Sequence, residues 1–208
     1  MKYYTGSFIF PFQWDQVVTG FWQKYSLSNS KHINSEDVLS RKIVEGKLFS
    51  KRLINKSAGS AQKVANMLFN KKAKRTWVIE ESVVDPVEKT MVTYTRNIGL
   101  KELALIEEKC VYKANPEKTD EVIQMKSAWI DSSHAYLGRI IQNLVYQHFK
   151  RRAGKSSGEL LGVLTKLYSM EVADPTNSSG IRPLLKDHDI TGKAIRAGKS
   201  VAQKTPKL

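Results

Sequence analysis

Residues able to do acid–base, nucleophilic or metal chemistry are few and scattered in this sequence. Its paired carboxylates, Glu80 with Glu81 and Glu107 with Glu108, fall in segments predicted to be strands, where neighbours face opposite sides of a sheet. We therefore expect one member of each pair to point to solvent. No HExxH or other ligand-spaced cluster contains the four histidines, which are His32, His134, His148 and His188. The pattern predicts a protein that is not an enzyme and has no metal site or cofactor.

Composition and charge favour an anionic partner. The 208-residue chain has 34 Lys and Arg against 20 Asp and Glu, a formal charge of +14. Nucleic acid, phospholipid head groups and a membrane surface all suit such a charge. The single cysteine, Cys110, excludes an internal disulfide and argues against a cysteine-based zinc site. The first 15 residues have neither the apolar core of a signal peptide nor the Arg-rich form of a presequence.

The elements that must position these residues are strands followed by one long helix. Helices are predicted over 14–25 and 132–168, where apolar residues recur every three or four positions. Short turns separate the strands, which must therefore be antiparallel. The predicted fold class is α+β, with an antiparallel sheet covered by the terminal helix. Strands are predicted at 2–10, 36–44, 47–56, 75–84, 89–98, 103–113 and 121–130.

The long predicted helix has an unusual middle. Its apolar pattern pauses at a group of cations, and three glycines follow at intervals of four. One interpretation is a weak, solvated segment; the other is a helix that bends beside an anion and sets its glycine edge against a close neighbour. Asp131 and the two serines after it are expected to cap this helix. The cations are Lys150, Arg151, Arg152 and Lys155, and the glycines are Gly154, Gly158 and Gly162.

Three other segments leave their structure open. In the second arm of the hairpin, Arg52 shares its parity with Leu48 and Ile54, so the buried face of this arm stays unassigned. Residues 171–208 carry seven cations and four anions and are predicted to be a flexible basic tail after a domain of residues 1–170. Between the strands, 57–74 is either a mobile apolar flap with a basic rim or a plain surface helix. Its apolar residues are Val64, Met67, Leu68 and Phe69.

The residues alone leave three classes of function. The basic surface and numerous aromatic residues would suit a nucleic-acid-binding protein, although no recognised module is present. A curved sheet closed by one long helix could instead enclose an apolar cavity, with cations at its mouth to hold a lipid phosphate. A structural interaction protein is the third class.

Several stretches of this chain carry a resemblance to a known family. The chain resembles the PRELI-domain (PRELI/slowmo) family of phospholipid transfer proteins of the mitochondrial intermembrane space, and is more similar to the PRELI branch. The resemblance covers residues 1 to about 168. The matching stretches are FPFQWDQVVTGFWQKY (10–25), SKHINSEDVLSRKI (30–43), RLINKS (52–57), TWVIEESVVDPVEKTMVTYTRNI (76–98), EEKCVYK (107–113) and HFKRRAGK (148–155).

The resemblance implies a fold and a function. It implies a curved antiparallel sheet of about seven strands, covered by the long C-terminal helix and enclosing a lipid cavity. It also implies transfer of phosphatidic acid between the outer and inner mitochondrial membranes, which supports cardiolipin synthesis, with peripheral contact to anionic membranes. Phosphatidylserine, the cargo of the slowmo branch, is the alternative. The implied protein partner is a small, disulfide-bonded helical protein of the intermembrane space, which forms a heterodimer with family members.

The resemblance also selects site residues. Basic residues of the family motifs correspond here to Lys24, His32, Lys56 and Lys155, whose implied role is to bind the lipid head group or attract the membrane surface. The alternative for each is an ordinary solvated charge, or a satisfied loop histidine at His32. Residues 58–71 correspond to the family's mobile lid loop, where Gln-Lys-Val at 62–64 replaces the usual Pro-Trp.

Overall fold

The computed structural model describes residues 1–27, 32–57, 75–101 and 103–169. They form an α+β fold of seven strands and two helices, so the predicted fold class is confirmed. Within these ranges no helix is long and apolar enough to cross a membrane. The elements in chain order are β1 (Lys2–Phe10), α1 (Trp14–Leu27), β2 (Ile33–Val44), β3 (Lys47–Ser57), β4 (Arg75–Asp85), β5 (Thr90–Asn97), β6 (Leu105–Ala114), β7 (Val122–Asp131) and α2 (Gly138–Tyr168).

Turn residues fix the ends of the strands. Between β2 and β3, Glu45 and Gly46 both have positive φ, 49° and 74°, the combination that a two-residue hairpin turn of type I′ requires. After β4, the carboxylate of Asp85 accepts hydrogen bonds from the backbone N–H groups of Val87 and Glu88, at 3.1 and 3.0 Å. These local bonds compete with the ladder and stop the strand.

Strands β2 to β7 form a meander, and β1 lies at its far edge, beside β7. The order is β1-β7-β6-β5-β4-β3-β2, and every neighbouring pair is antiparallel. Consecutive strands are neighbours from β2 to β7, as their short connections demand. The exception is β1, which pairs with β7 at the opposite edge from β2. The segment that contains α1 therefore connects the two edges of the sheet.

Both helices contribute to one apolar core. Phe10, Val17 and Phe21 are buried together with Leu160 and Leu164 of α2. The helices approach closely at Gly20, where an added Cβ would lie 2.5 Å from a methyl carbon of Leu164. Glycine at this position therefore lets α1 and α2 pack directly against each other.

A second, smaller cluster anchors the beginning of α2. Leu103 and Ala104, in the turn before β6, are buried against Ile141. Part-buried Leu137 and Val145 pack on the same cluster. The two clusters lie at opposite ends of α2, which leaves the middle of the helix to make other contacts.

The start of α2 differs from the prediction. The helix begins at Gly138, six residues later than expected, and its N-cap residue Leu137 makes no side-chain capping bond. The prediction that Asp131 and the following serines cap it is wrong. The reason is that the Ser132 hydroxyl donates to the carbonyl of Leu103 at 2.7 Å, while the Asp131 carboxylate accepts from Gln142 at 2.8 Å.

The middle of α2 is continuous helix. It runs unbroken for 31 residues, about 46 Å at 1.5 Å per residue. Gly154, Gly158 and Gly162 are exposed, and a Cβ added at any of them would meet no described atom within 4 Å. The hypothesis of a glycine edge against a close neighbour is therefore wrong, and these glycines lie on the solvated side of the helix.

Candidate functional site: an amphipathic cavity

A cavity lies between the inner face of the sheet and α2. Its volume is about 330 Å³, and residues from α1, β3, β4, β5, β6, β7 and α2 line it. The α2 contribution comes from residues 144–159, the stretch between the two apolar clusters. This volume lies within the usual range of ligand sites, roughly 300–1,000 Å³. A larger and more open depression, between Met1 and the first turns of α2, is a solvent-exposed groove.

The cavity wall combines apolar and charged surface. Its apolar part includes Phe21, Ile106, Leu144, Val145 and Phe149. Five Lys and Arg side chains and three carboxylates share the wall, an excess of two positive charges. The five are Lys24, Lys56, Lys126, Arg152 and Lys155, and the three are Glu80, Glu108 and Glu159. Such a wall suits an amphiphile with an anionic group.

All four residues predicted as head-group ligands line this cavity. Lys24 comes from α1, His32 from the residue before β2, Lys56 from the end of β3 and Lys155 from α2. They are distant in sequence, and the fold brings them to one space. Their binding role stays a prediction.

Two other predicted features fall outside the described residues. They are the lid, with its apolar residues Val64, Met67, Leu68 and Phe69, and the basic tail of residues 171–208.

A buried ion network fixes Lys24 at the base of the cavity. The Lys24 ammonium donates to Glu80 Oε2 at 3.1 Å, and the Tyr25 hydroxyl donates to the same oxygen at 3.4 Å. The guanidinium of Arg52 donates to Glu80 Oε1 and to the carboxylate of Glu36. Because Arg52 is only 1% exposed and Glu80 3%, neither charge could remain buried without its partner.

The network shifts the pKa values of its members. Burial alone would raise the pKa of Glu80, but Lys24 and Arg52 more than offset it and bring this pKa to about 2. Burial lowers the pKa of Lys24 to about 8, although the Glu80 carboxylate acts in the opposite direction. Lys24 therefore changes its charge close to neutral pH, whereas Glu80 stays ionised.

Aromatic rings surround the same cations. The Lys24 ammonium lies 3.7 Å from the ring centroid of Phe21 and 4.6 Å from that of Tyr25. The Arg52 guanidinium carbon lies 4.9 Å from the Phe21 centroid and 4.7 Å from that of Trp22. Cation–π attraction partly compensates these charges for lost water.

Lys56 and Lys155 differ from Lys24 because they have no carboxylate partner within 4.0 Å among the described residues. Burial lowers the pKa of Lys56, whose ammonium lies 6.0 Å from the Tyr25 ring centroid. Lys155 is exposed at the cavity rim. Both ammonium groups therefore keep donors for an anion.

Two histidines also line the cavity. Burial lowers the pKa of His32 and of His148, and nearby Arg152 lowers both further. His148 was not among the predicted ligands, although it belongs to the matching stretch of residues 148–155.

Lys126 is the site residue that sequence reasoning missed entirely. It is 4% exposed on the inner face of β7, and its ammonium donates to the carbonyl of Ala153 at 3.0 Å and to the Ser156 hydroxyl at 3.2 Å. A signal was available: Gln124 and Lys126 share the inward parity of the apolar residues of β7. A lysine on the buried side of a strand indicates a partner or a site.

The surroundings of three kinds of potentially reactive group can be stated for the described residues. They contain no group of three His, Cys, Asp or Glu side chains able to hold a metal ion. Glu80, the buried carboxylate, is committed to Lys24 and Arg52. Burial raises the pKa of the Cys110 thiol well above its usual value, so the thiol stays protonated.

Fold and site together define a small α+β protein with an internal, amphipathic ligand cavity. The chain belongs to the PRELI-like family, whose family model matches residues 15–170. It is 33% identical over 168 residues to human PRELI domain-containing protein 1, mitochondrial, a match that covers 80% of this chain and 77% of the relative. The chicken protein of the same name is 34% identical over 155 residues, or 74% of this chain and 72% of the relative.

Solved structures of low sequence identity share the fold. The Zhui aromatase/cyclase of a Streptomyces species superposes with a TM-score of 0.54 at 8% identity, covering 81% of this chain and 97% of its own. The protein TTHA0849 of Thermus thermophilus superposes with a TM-score of 0.52 at 10% identity, covering 80% and 99%.

Proposed function

We propose that this protein is a carrier, not an enzyme, which moves phosphatidic acid between the outer and inner mitochondrial membranes through the intermembrane space and so supports cardiolipin synthesis. The observation that carries the proposal is the cavity, in which apolar walls meet lysines without carboxylate partners among the described residues. Membership of the PRELI-like family and the mitochondrial names of the relatives support it.

The cavity chemistry fits the two ends of such a lipid. Burying acyl methylenes is favourable by about 0.8 kcal/mol each, so shielding even part of a chain makes a lipid far easier to move through water. Phe149, Val145 and Leu144 offer that shield from α2. A phosphate monoester needs cationic donors, which Lys56 and Lys155 have to spare.

Phosphatidylserine is the second candidate cargo. Besides the phosphate, its serine head group carries an ammonium and a carboxylate. The ammonium needs an acidic partner inside the cavity. Glu159 lines the cavity and has no ion pair among the described residues, which makes it the group that could accept that ammonium. Glu80 is occupied by Lys24 and Arg52.

The charge of the chain supports action at an anionic membrane. Each Lys or Arg near such a surface contributes about 1 kcal/mol of attraction, and the formal charge is +14. A small, disulfide-bonded helical protein, bound as a heterodimer, is the proposed partner because the family resemblance implies one. Binding of nucleic acid through the same basic surface is the remaining alternative, and would show as a salt-dependent gel shift without extraction of lipid.

A vesicle assay tests the proposal. Donor vesicles contain labelled phosphatidic acid, phosphatidylserine or phosphatidylcholine, and transfer to acceptor vesicles is followed with purified protein, alone and with the partner. We expect transfer of phosphatidic acid above the other two lipids. Lys56→Met should reduce it, whereas Lys113→Met, at an exposed position of β6, is the matched control for charge and should not. No movement of phosphatidic acid under either condition would refute the proposal.

A further inference from the structure

The long helix is held differently at its middle and at its ends. The first turns of α2 pack on Leu103 and Ala104 through Ile141, and its last turns pack in the main core through Leu160 and Leu164. The buried part of both attachments is apolar, and each is accompanied by an exposed hydrogen bond, from Gln142 to Asp131 and from Lys166 to the carbonyl of Leu27. The middle is also held to β7 by hydrogen bonds with two inward-facing side chains, one that accepts from α2 and one that donates to it.

The two side chains of β7 are Gln124 and Lys126. The Gln124 amide oxygen accepts from the Ser157 hydroxyl at 2.6 Å, and its amide nitrogen donates to the Tyr112 hydroxyl at 2.8 Å. Both polar atoms of this amide thus have a partner, and the cavity lining does not include Gln124.

Lys126 is placed differently, because it lines the cavity together with both of its acceptors. Its ammonium bonds only neutral groups of α2, the Ala153 carbonyl and the Ser156 hydroxyl. The nearest carboxylate is that of Glu108, at 3.9 Å, outside ordinary hydrogen-bond distance. A full positive charge at the cavity wall is thus held mainly by uncharged acceptors.

We propose that Lys126 is a shared cation, which holds the middle of α2 in the empty protein and turns to the phosphate of a phosphate-monoester lipid when one enters the cavity. The inference rests on the proposed function and extends it. It adds a phosphate-binding residue to the predicted set and couples cargo binding to the attachment of α2.

The exchange is favourable for a chemical reason. An ammonium bonded to a phosphate oxygen gains the Coulombic attraction of opposite charges in addition to the hydrogen bond, which a neutral carbonyl or hydroxyl acceptor does not supply. Neither acceptor would be left without a partner. The Ala153 carbonyl keeps its helical N–H partner four residues on, and Ser156 is exposed, so its hydroxyl can turn to water.

The coupling has a direction. When Lys126 turns to the phosphate, the cavity wall near residues 153–156 loses one of its two links to β7, while the apolar ends of α2 stay packed. Bound cargo therefore loosens the part of the wall beside it. Conversely, weakening the link in the empty protein should favour cargo, because Lys126 is then freer to bind phosphate.

Equilibrium binding of dioctanoyl phosphatidic acid to the full chain tests this inference. Lys126→Met removes a charged donor and should weaken binding by roughly tenfold or more. Ser156→Ala removes one acceptor in α2 and keeps the cation, so it should strengthen binding by about threefold. Ser7→Ala, at an exposed position of β1, is the matched control and should change nothing. Glycerol 3-phosphate, measured in parallel, separates recognition of the phosphate alone from recognition of the lipid.

The sign of the Ser156→Ala effect decides the matter. A purely structural role of Lys126 predicts that Ser156→Ala weakens binding, and this result overturns the shared cation even if Lys126→Met does not fold. Wild-type protein that takes up no phosphatidic acid overturns the proposed function and the inference together. If the wild type binds phosphatidic acid but Lys126→Met and Ser156→Ala do not change the affinity in opposite directions, the inference alone is overturned. If Ser156→Ala strengthens and Lys126→Met weakens binding of glycerol 3-phosphate as well as of the lipid, the shared cation is supported and the phosphate alone is sufficient for recognition. If these two effects are seen only with the lipid, the shared cation is supported and the acyl chains are required.

Discussion

If Lys24 binds the phosphate of the proposed lipid cargo, binding should be sensitive to alkaline pH. Its ammonium contacts Glu80 at the base of the cavity, and burial lowers its pKa to about 8. As the pH rises through that value the ammonium becomes neutral, and its attraction for a phosphate is lost. We therefore predict that phosphatidic acid binds most tightly below pH 8 and progressively less tightly above it.

The size of the effect follows from the pKa. A group with a pKa of about 8 keeps its proton in roughly one molecule in ten at pH 9. The second ionisation of a phosphate monoester lies near pH 6, so the ligand itself is already doubly charged at pH 7.5. The charged fraction is about one half at pH 8, so if the charged form of Lys24 is required, affinity should fall about fivefold between pH 8 and pH 9.

Lys24→Arg separates this residue from the other cations of the cavity. Arginine stays charged throughout this range, so the variant should lose affinity much less steeply. Some slope should remain, because burial also lowers the pKa of Lys56. The measurement is calorimetric titration with dioctanoyl phosphatidic acid at half-unit steps from pH 7 to pH 9.5, in buffers of constant ionic strength.

Two outcomes would refute this reasoning. Identical pH profiles for the wild type and Lys24→Arg would show that Lys24 is not the group whose titration matters. Affinity that stays constant to pH 9.5 in the wild type would show that no cavity lysine titrates in this range. Far-ultraviolet circular dichroism at each pH checks that the loss of binding does not reflect unfolding.

Three further predictions concern stability. Glu80→Gln should lower the free energy of unfolding, measured with urea, by about 3 kcal/mol at pH 7 and by much less near pH 2. The pKa of Glu80 is lowered from its usual value of 4.5 to about 2, so the stability that its carboxylate contributes is lost as the pH falls through this range. Equal losses at both pH values would contradict this. Leu164→Ala should cost about 2–5 kcal/mol by opening a cavity between the helices, measured by the same urea titration, and a cost below 1 kcal/mol would argue against that packing. Replacing Gly154, Gly158 and Gly162 together by alanine should raise the melting temperature, because each exposed helical glycine costs up to about 1 kcal/mol; slower lipid transfer by this variant would show that flexing of α2 matters, and an unchanged rate that it does not.

The strands were predictable from sequence because their boundaries are local. Glu45-Gly46, Asp85-Pro86 and Asn115-Pro116 fix turns through residues within a few positions of each other. The beginning of α2 was not, because Ser132 bonds the carbonyl of Leu103, 29 positions earlier in the sequence. A capping motif in the sequence does not reveal that a distant backbone carbonyl competes for the capping side chain.

The candidate site also contains residues that could be predicted from the sequence and residues that could not. The family resemblance supplied Lys24, Lys56 and Lys155, but alternation alone left the inner face of β3 unassigned, because Arg52 shares it with Leu48 and Ile54. The structure shows that this face is indeed the inner one, with Arg52 buried against Glu80. What resolves the conflict is a partner on the neighbouring strand, and pairing across strands is a long-range property.

The placement of β1 beside β7 determines when the cavity can exist. Strands β2 to β7 can pair in the order in which they follow one another, but β1 must wait for a partner about 120 residues further along the chain. Contacts of such long range are slow to form. Because α1, which supplies Lys24 and Phe21, packs on α2, the N-terminal wall of the cavity is completed only after the C-terminal helix has been made. A chain that ends before residue 122 lacks β7, so β1 has no strand to pair with and the cavity cannot form.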